Sequence, residues 1–380
     1  MTVPWLEIEE VHDGSPYPGR VDPKSAWQAL FACQVQVPPH QEWARLKWGL
    51  NVAMLFEEAM ERQKLFLESQ YGYPDEQGME ARDHRTLAFR FINRPGEKLL
   101  VAVLGKIQGH SEQEVRENAL SYYTEIQATF PYDYGLTPAI SQDDFFFFSG
   151  MDILQDENPA LDVAQISRME FPIHPKASLP YLQGSWRSGP RAHEQIWRAV
   201  SACPSALFLN ICLRSTVLYE DEQKGLLKNA ADLSNVDVEL LNPISSSALK
   251  QWNKDILARR LAPWQKFFYL QVHLVSTQTI SSHLVRTIGT SLTLNNKGSP
   301  LPGYQVTLPT GTEEIRSWKN KIKNLNVILS KSYLQCPRLS EVADLNEVFD
   351  VIQIPYSPPD NGFPGLNFAT SKEKMGHQDG

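Results

Sequence analysis

Cysteine is scarce: the 380 residues hold four, Cys33, Cys203, Cys212 and Cys336, and no two of them make a CxxC or similar spacing. That excludes the common zinc ribbons and dithiol redox motifs, which need paired ligands a few residues apart. Reduced, mostly buried thiols in a cytoplasmic protein are expected. Long apolar runs are missing too, and the opening MTVPWLEIEEVHDG lacks the basic-then-apolar order of a secretion signal, so no membrane insertion is expected.

The standard signatures of chemistry are also absent. A P-loop needs G-x-x-x-x-G-K-[ST], because backbone amides of that loop wrap the phosphates and its lysine neutralises them. The nearest phrases, GTSLTLNNKG and GKIQGH, have neither the glycine spacing nor the ending. No GxGxxG follows a strand, and GSWRSG lacks the order of a nucleophile elbow. HEQIW, His193 to Trp197, carries tryptophan where a zinc-binding HExxH has its second ligand. His273 and His283 fall on different predicted elements and are expected to be structural or exposed. No cofactor and no metal are expected.

What is present is an ordinary globular composition, 42% hydrophobic and 21% charged, in a chain long enough for two or three domains. The net charge of −8 is uneven. Lys250 to Lys331 hold 12 Lys and Arg against 3 Asp and Glu, which leaves the rest strongly acidic.

Periodicity then orders the chain. Trp43, Leu46, Leu50, Met54, Met60 and Leu67 recur at helical spacing. TLAFRFI and KLLVAVLGK, parted by a Pro-Gly turn, predict a β-hairpin. Ser111 and Glu114 stand in capping-box spacing ahead of a helix through Phe130. Phe145 to Phe148 suit a buried strand or an interface. The polar, Pro-containing stretch DILQDENPALD, Asp152 to Asp162, marks a boundary, after which strand and helix alternate again: ISRMEFPI, YLQGSW, RAHEQIWRAVSAC, SALFLNICLRS, helical patterns over Leu218–Leu233 and Ser246–Leu261, KFFYLQVHLVS and TISSHLVRTIGTSL.

The expected fold class is α+β: two related sheet-plus-helix units with a Pro-rich C-terminal strap. The expected divisions are a first unit over 1–160, a second over 161–310, a linker helix and strap over 311–368, and a disordered tail over 369–380. No period of 20–50 residues is visible, so the chain is not a solenoid.

Two polar arrangements remain. Arg168 and Glu170 in RMEFPI would share one face of a strand, most simply as an ion pair. Arg316, Lys319, Lys321 and Lys323 form a short basic stretch that a solvated helix face explains, and that phosphate contact would also use.

The phrase LSEVADLNEVFDVIQIPYSPPDNGFPGL, with Leu345, Asn346 and Glu347, then Ile354-Pro355, then Phe363-Pro364-Gly365, resembles the connecting segment ahead of the P-loop core in HerA-like and conjugation-type DNA-translocating ATPases. Gln353 stands where that family has arginine. SRMEFPI, LFLNICLRSTVLYEDE and FFYLQVHLVS resemble, more loosely, strands of the family's N-terminal α+β region, with Ser215 in place of a proline before Thr216. In the family the motor core follows the Pro-Gly, whereas here about 15 residues remain. The resemblance therefore implies a platform without its motor: not an enzyme, but an accessory subunit in DNA translocation that associates with a separate P-loop ATPase, with an oligomer compatible. Its partner-binding residues would be Ile354, Pro355, Pro358, Pro359, Phe363 and Pro364, on a strap that fixed proline φ values keep semi-rigid.

Two alternatives stay open. One is a salt-dependent DNA-binding accessory using the basic region 250–331. The other is an enzyme whose site assembles from dispersed Arg168, Glu170, His193 and Glu194.

Overall fold

A computed structural model describes residues 2–11, 26–37, 52–72, 85–154, 162–172, 181–189, 192–235, 251, 255, 258–262, 264–293, 303–329 and 337–356. The first half runs β1 (Glu7–Val11), β2 (Ala26–Gln36), α1 (Val52–Ser69), β3 (Thr86–Asn93), β4 (Leu100–Gly109), α2 (Glu112–Thr129), β5 (Gly135–Pro138) and α3 (Gln142–Ser149). The second runs β6 (Asp162–Arg168), β7 (Glu170–Pro172), β8 (Tyr181–Gln183), α4 (Ala192–Ser201), β9 (Leu207–Thr216), α5 (Glu220–Asn235), β10 (Phe267–Ser276), α6 (Ser282–Leu292), β11 (Tyr304–Thr307) and α7 (Thr312–Lys323). A 3₁₀ turn (Pro337–Ser340), β12 (Val342–Asp344) and α8 (Leu345–Val351) follow.

The expected hairpin is β3 with β4, reversed where the Glu97 amide meets the Arg94 carbonyl at 2.9 Å. Gly96 takes φ 84 there, a value that favours a residue without Cβ. Ten strands form one antiparallel sheet in the order β1-β2-β4-β3-β9-β10-β6-β11, with β5 on β2 and β12 on β10. β7 and β8 form a separate two-stranded sheet. The fold is α+β, and the pairing of β3 with β9 carries the main sheet across position 160.

The two halves repeat one plan. In each, the third long strand lies between the first and second: β2-β4-β3, then β9-β10-β6 in reverse. In each, a helix follows the third strand and a short strand returns to the first, as α2 then β5 on β2, and α6 then β11 on β6. An approximate twofold axis between β3 and β9 relates them. The caps preserve the repeat: Ser111 and Ser281 cap α2 and α6, Ser141 and Gly311 precede α3 and α7, and both pairs lie 170 positions apart. Ahead of α3 and α7 the same device recurs, with the Ile140 amide on Asp144 and the Thr310 amide on Glu314.

The Phe145–Phe148 run is corrected by the same chemistry. It is helix α3, not a strand, because the Ser141 hydroxyl accepts from the Asp144 amide and Gly150 closes the far end at φ 71. Phe145 is buried while Phe147 faces outward. Of the predicted helix beginning at Trp43, residues 43–51 lie outside the described residues, as does the tail. Met169 interrupts the predicted ISRMEFPI strand, so Arg168 ends β6 while Glu170 opens β7 in the other sheet. The expected pair on one strand face is not formed.

The sheet's faces differ. Phe31, Phe89, Val103, Ile211 and Val272 belong to an apolar cluster with α1, α2, α4, α6 and α8. The opposite face, under α3 and α7, buries a polar row that includes Arg90, Lys106, Asn210, Gln271 and His273. Arg90 sits beside the twofold axis. It donates from Nε to Asn210 Oδ1 at 2.9 Å, and from its two terminal nitrogens to the Ser149 and Ile322 carbonyls, in the last turns of α3 and α7. One cation thus meets the negative ends of two equivalent helices. Cys33 and Cys212 are buried free thiols, which burial pushes up to about 12 and about 11. No helix among the described residues is long and apolar enough to cross a membrane.

Candidate functional site: the clasp around residues 337–356

Residues 337–356 include the first part of the phrase that resembles the family connector, and the body of the protein grips them from several directions. β12 pairs with β10 from Phe267↔Asp344 to Tyr269↔Val342. Asp344 then starts α8 with a complete capping box: its Oδ1 accepts from the Asn346 and Glu347 amides at 3.0 and 3.1 Å, and Glu347 Oε2 accepts from the Asp344 amide at 3.2 Å. Glu347 is therefore held by its own helix start as well as by its tertiary partners.

Its tertiary partners are cations. Arg168 Nη1 donates to both Glu347 oxygens at 2.9 and 3.0 Å, and Nη2 to the carbonyls of Leu339, Ser340 and Val342. Arg260 Nη2 adds Glu347 Oε2 at 3.3 Å, while its Nη1 donates to Gln183. Ser185 and the Trp186 amide also donate to Glu347 Oε1. The Arg168 and Glu347 side chains are fully enclosed. Burial works to raise the Glu347 carboxyl, but the guanidinium of Arg168, then those of Arg260 and Arg259, outweigh it and hold it at about 2. Burial lowers Arg168, with Glu347 opposing.

Farther along, Arg338 in the 3₁₀ turn donates to both Glu222 oxygens, Thr216 Oγ1 and the Tyr269 hydroxyl. Burial disfavours its charge, yet the hydrogen bond from Arg338 to Glu222 leads a set of contacts that raises it overall. The His193 ring nitrogen Nε2 donates to the Val351 carbonyl at 3.0 Å. Gln63 of α1 brackets Ile354: Oε1 accepts its amide at 2.9 Å and Nε2 donates to its carbonyl at 3.2 Å. Tyr356 donates to Glu194 at 3.0 Å and meets Trp197 edge to face.

Three of the four dispersed candidates, Arg168, His193 and Glu194, thus hold one segment. Glu170 is buried on β7, across from Gln183. Ile354 and Pro355 are buried within this chain, so the contacts expected of them with a partner are made internally. Pro358, Pro359, Phe363 and Pro364 lie outside the described residues. The basic stretch does not present one free face: Arg316 is exposed, Lys319 is buried, and Lys321 and Lys323 are half-buried. Glu347, Arg260, Gln63 and Arg338 were not singled out by sequence as polar site residues. The only local signal was the Asp344-to-Glu347 spacing, a capping box in outline. A cavity of about 390 Å³ lies elsewhere, by the ends of α1 and α2, where Arg85 pairs with Glu125 and stacks on Tyr122.

Replacing Gln63 with leucine is expected to remove the bracket while keeping volume. Hydrogen exchange at Ile354 should accelerate about tenfold, the equivalent of ~1–1.5 kcal/mol, with β3 and β9 amides unchanged.

Acid sensitivity follows from buried imidazoles. Burial pushes His193 down to about 4 and His273 to about 3, the second aided by Arg90. Unfolding returns each toward ~6.5, so the unfolded chain binds more protons. Stability is full above that value and falls with pH toward about 4, by ~1.4 kcal/mol per pH unit for each ring. Burial raises Asp350 to about 6, which works in the opposite sense below that pH and cancels about one ring. Asp344, also raised by burial, adds to that opposition, so a net slope of at most ~1.4 kcal/mol per unit between pH ~6 and ~4 is expected. Urea unfolding across that range should show His273→Leu nearly flat, and an unchanged slope would refute the assignment.

No family model matches this chain, and no curated protein matches it.

Proposed function

We propose that this protein is a noncatalytic platform: an accessory subunit of the cytoplasm that associates with a separately encoded HerA-like P-loop ATPase and takes part in DNA translocation. The observation that carries this reading is the clasp. The ionisable groups that a dispersed active site would have used, Arg168, His193 and Glu194, are hydrogen-bonded to residues 339–356 of the chain itself.

The resemblance gives this segment the role of a lead-in, and the clasp gives the lead-in a fixed point of departure at Tyr356. Holding a connector in place beforehand lowers the ordering cost of docking a partner, because that entropy is lost on folding and not on binding. The proline-rich residues after it, Pro358, Pro359, Phe363 and Pro364, are the proposed partner contacts. The DNA-binding alternative is less favoured, since Lys319 is buried and no free basic face unites the stretch.

The test is purification of the tagged protein from its native cell after nuclease treatment, at low and high salt, with mass spectrometry of what remains bound. A P-loop ATPase retained in both conditions is expected. Nucleic acid without an ATPase, lost as salt rises, would replace the platform with the DNA-binding reading.

A further inference from the structure

The two ends of the long sheet are related by the internal twofold, yet they are chemically opposite. At the β1 end, the Trp5 amide donates to the Ala139 carbonyl at 2.7 Å, which sets Val3 and Trp5 beside Ile140. Val3 is 67% and Ile140 63% exposed, unusual for such side chains. Around them residues 2–11 and 135–149 carry Glu7, Glu9, Glu10, Asp143 and Asp144, and no lysine or arginine.

At the β11 end, the Met169 amide donates to the Gly303 carbonyl at 3.0 Å just ahead of the strand, and two residues apart at its far end Val306 and Leu308 are 40% and 55% exposed. The charge there has the other sign. Arg286 and Arg316 are exposed and Lys321 and Lys323 half-buried there, against Glu313 and Glu314, while Lys319 is buried. β1 and β11 each end the described strand order, so each has an edge with no further strand among the described residues.

An apolar patch with an acidic rim and an apolar patch with a basic rim, on opposite ends of one sheet, suit each other and repel their own kind. A symmetric dimer would bring like charges together. We propose that the acidic β1 end of one copy docks on the basic β11 end of a second copy, head to tail. Such a contact is heterologous: it closes into a ring if the rotation between copies permits and otherwise extends. Edge pairing of β1 with β11 would also cover strands that are otherwise open to nonspecific association. The inference is independent of the ATPase partner.

The experiment is sedimentation velocity of the purified chain over a concentration series at low and high salt. The wild type is expected to associate, at least about tenfold more weakly at high salt. Glu10→Lys with Asp143→Lys removes most of the charge of the acidic rim, and Arg286→Glu with Arg316→Glu reverses the sign of the basic one. All four are exposed positions, so thermal unfolding by circular dichroism should match the wild type. Each variant alone should stay monomeric, and an equimolar mixture should regain pairwise assembly because each variant keeps one unaltered end and the two unaltered ends complement one another. A monomeric wild type at every concentration, variants that associate as the wild type does, or a mixture that stays monomeric would each overturn the proposal.

Discussion

Glu347→Ala should destabilise the protein by ~3–5 kcal/mol, the largest effect expected of any single substitution in the clasp. Among the described residues, Glu347 is the one carboxylate to which both Arg168 and Arg260 donate hydrogen bonds. Both guanidiniums are enclosed, so removing it leaves two buried positive charges without that counter-charge. The same substitution removes one half of the α8 capping box. Glu347→Gln keeps the shape and part of the hydrogen bonding but not the charge, and most of the loss should persist. Urea unfolding reads both. A change below ~1 kcal/mol in both variants would mean that the ion pair contributes little beyond its desolvation cost, and the clasp would need another basis.

The second large effect is expected at the twofold axis. Arg90→Met preserves the aliphatic stem but strands two buried acceptors, Asn210 Oδ1 and the Ser149 carbonyl, and leaves the Ile322 carbonyl with the Leu325 amide. At ~1–2 kcal/mol for each stranded acceptor, a total of ~2–4 kcal/mol is expected. Burial pushes the Arg90 guanidinium down to about 9, which still leaves it charged at neutral pH, facing the two helix-end carbonyls. The effect should be spatially selective: α3 and α7 lose protection from hydrogen exchange together, although 163 positions separate Gly150 from Glu313 in sequence. Fraying of only one helix would show that Arg90 does not join the two halves.

Much of the fold could be read from the chain because its signals are local. The β3–β4 hairpin needed only two apolar runs and a Pro-Gly, and α2 announced itself through Ser111 and Glu114. The Phe145–Phe148 run misled because four consecutive aromatics have no period, and the deciding residues, Ser141 and Gly150, lie outside it. Arg168 and Glu170 misled because spacing of two implies a common face only while the strand continues, and Met169 ends it.

The site was less legible for a physical reason. Arg168 meets Glu347 across 179 positions, and Gln63 meets Ile354 across 291. Nothing in the neighbourhood of either residue encodes such a distant partner. The sequence offered the ends of those contacts separately, Arg168 as half of a pair with Glu170 and Glu347 as part of the connector phrase. Only the sheet order brings them together.

The clasp is tested most directly by native-state hydrogen exchange of the intact chain. If residues 337–354 are held as described, the amides of β12, α8 and Ile354 exchange as slowly as those of β10, through global unfolding alone. Exchange of these amides many times faster than β10, as in a frayed terminus, would contradict the account.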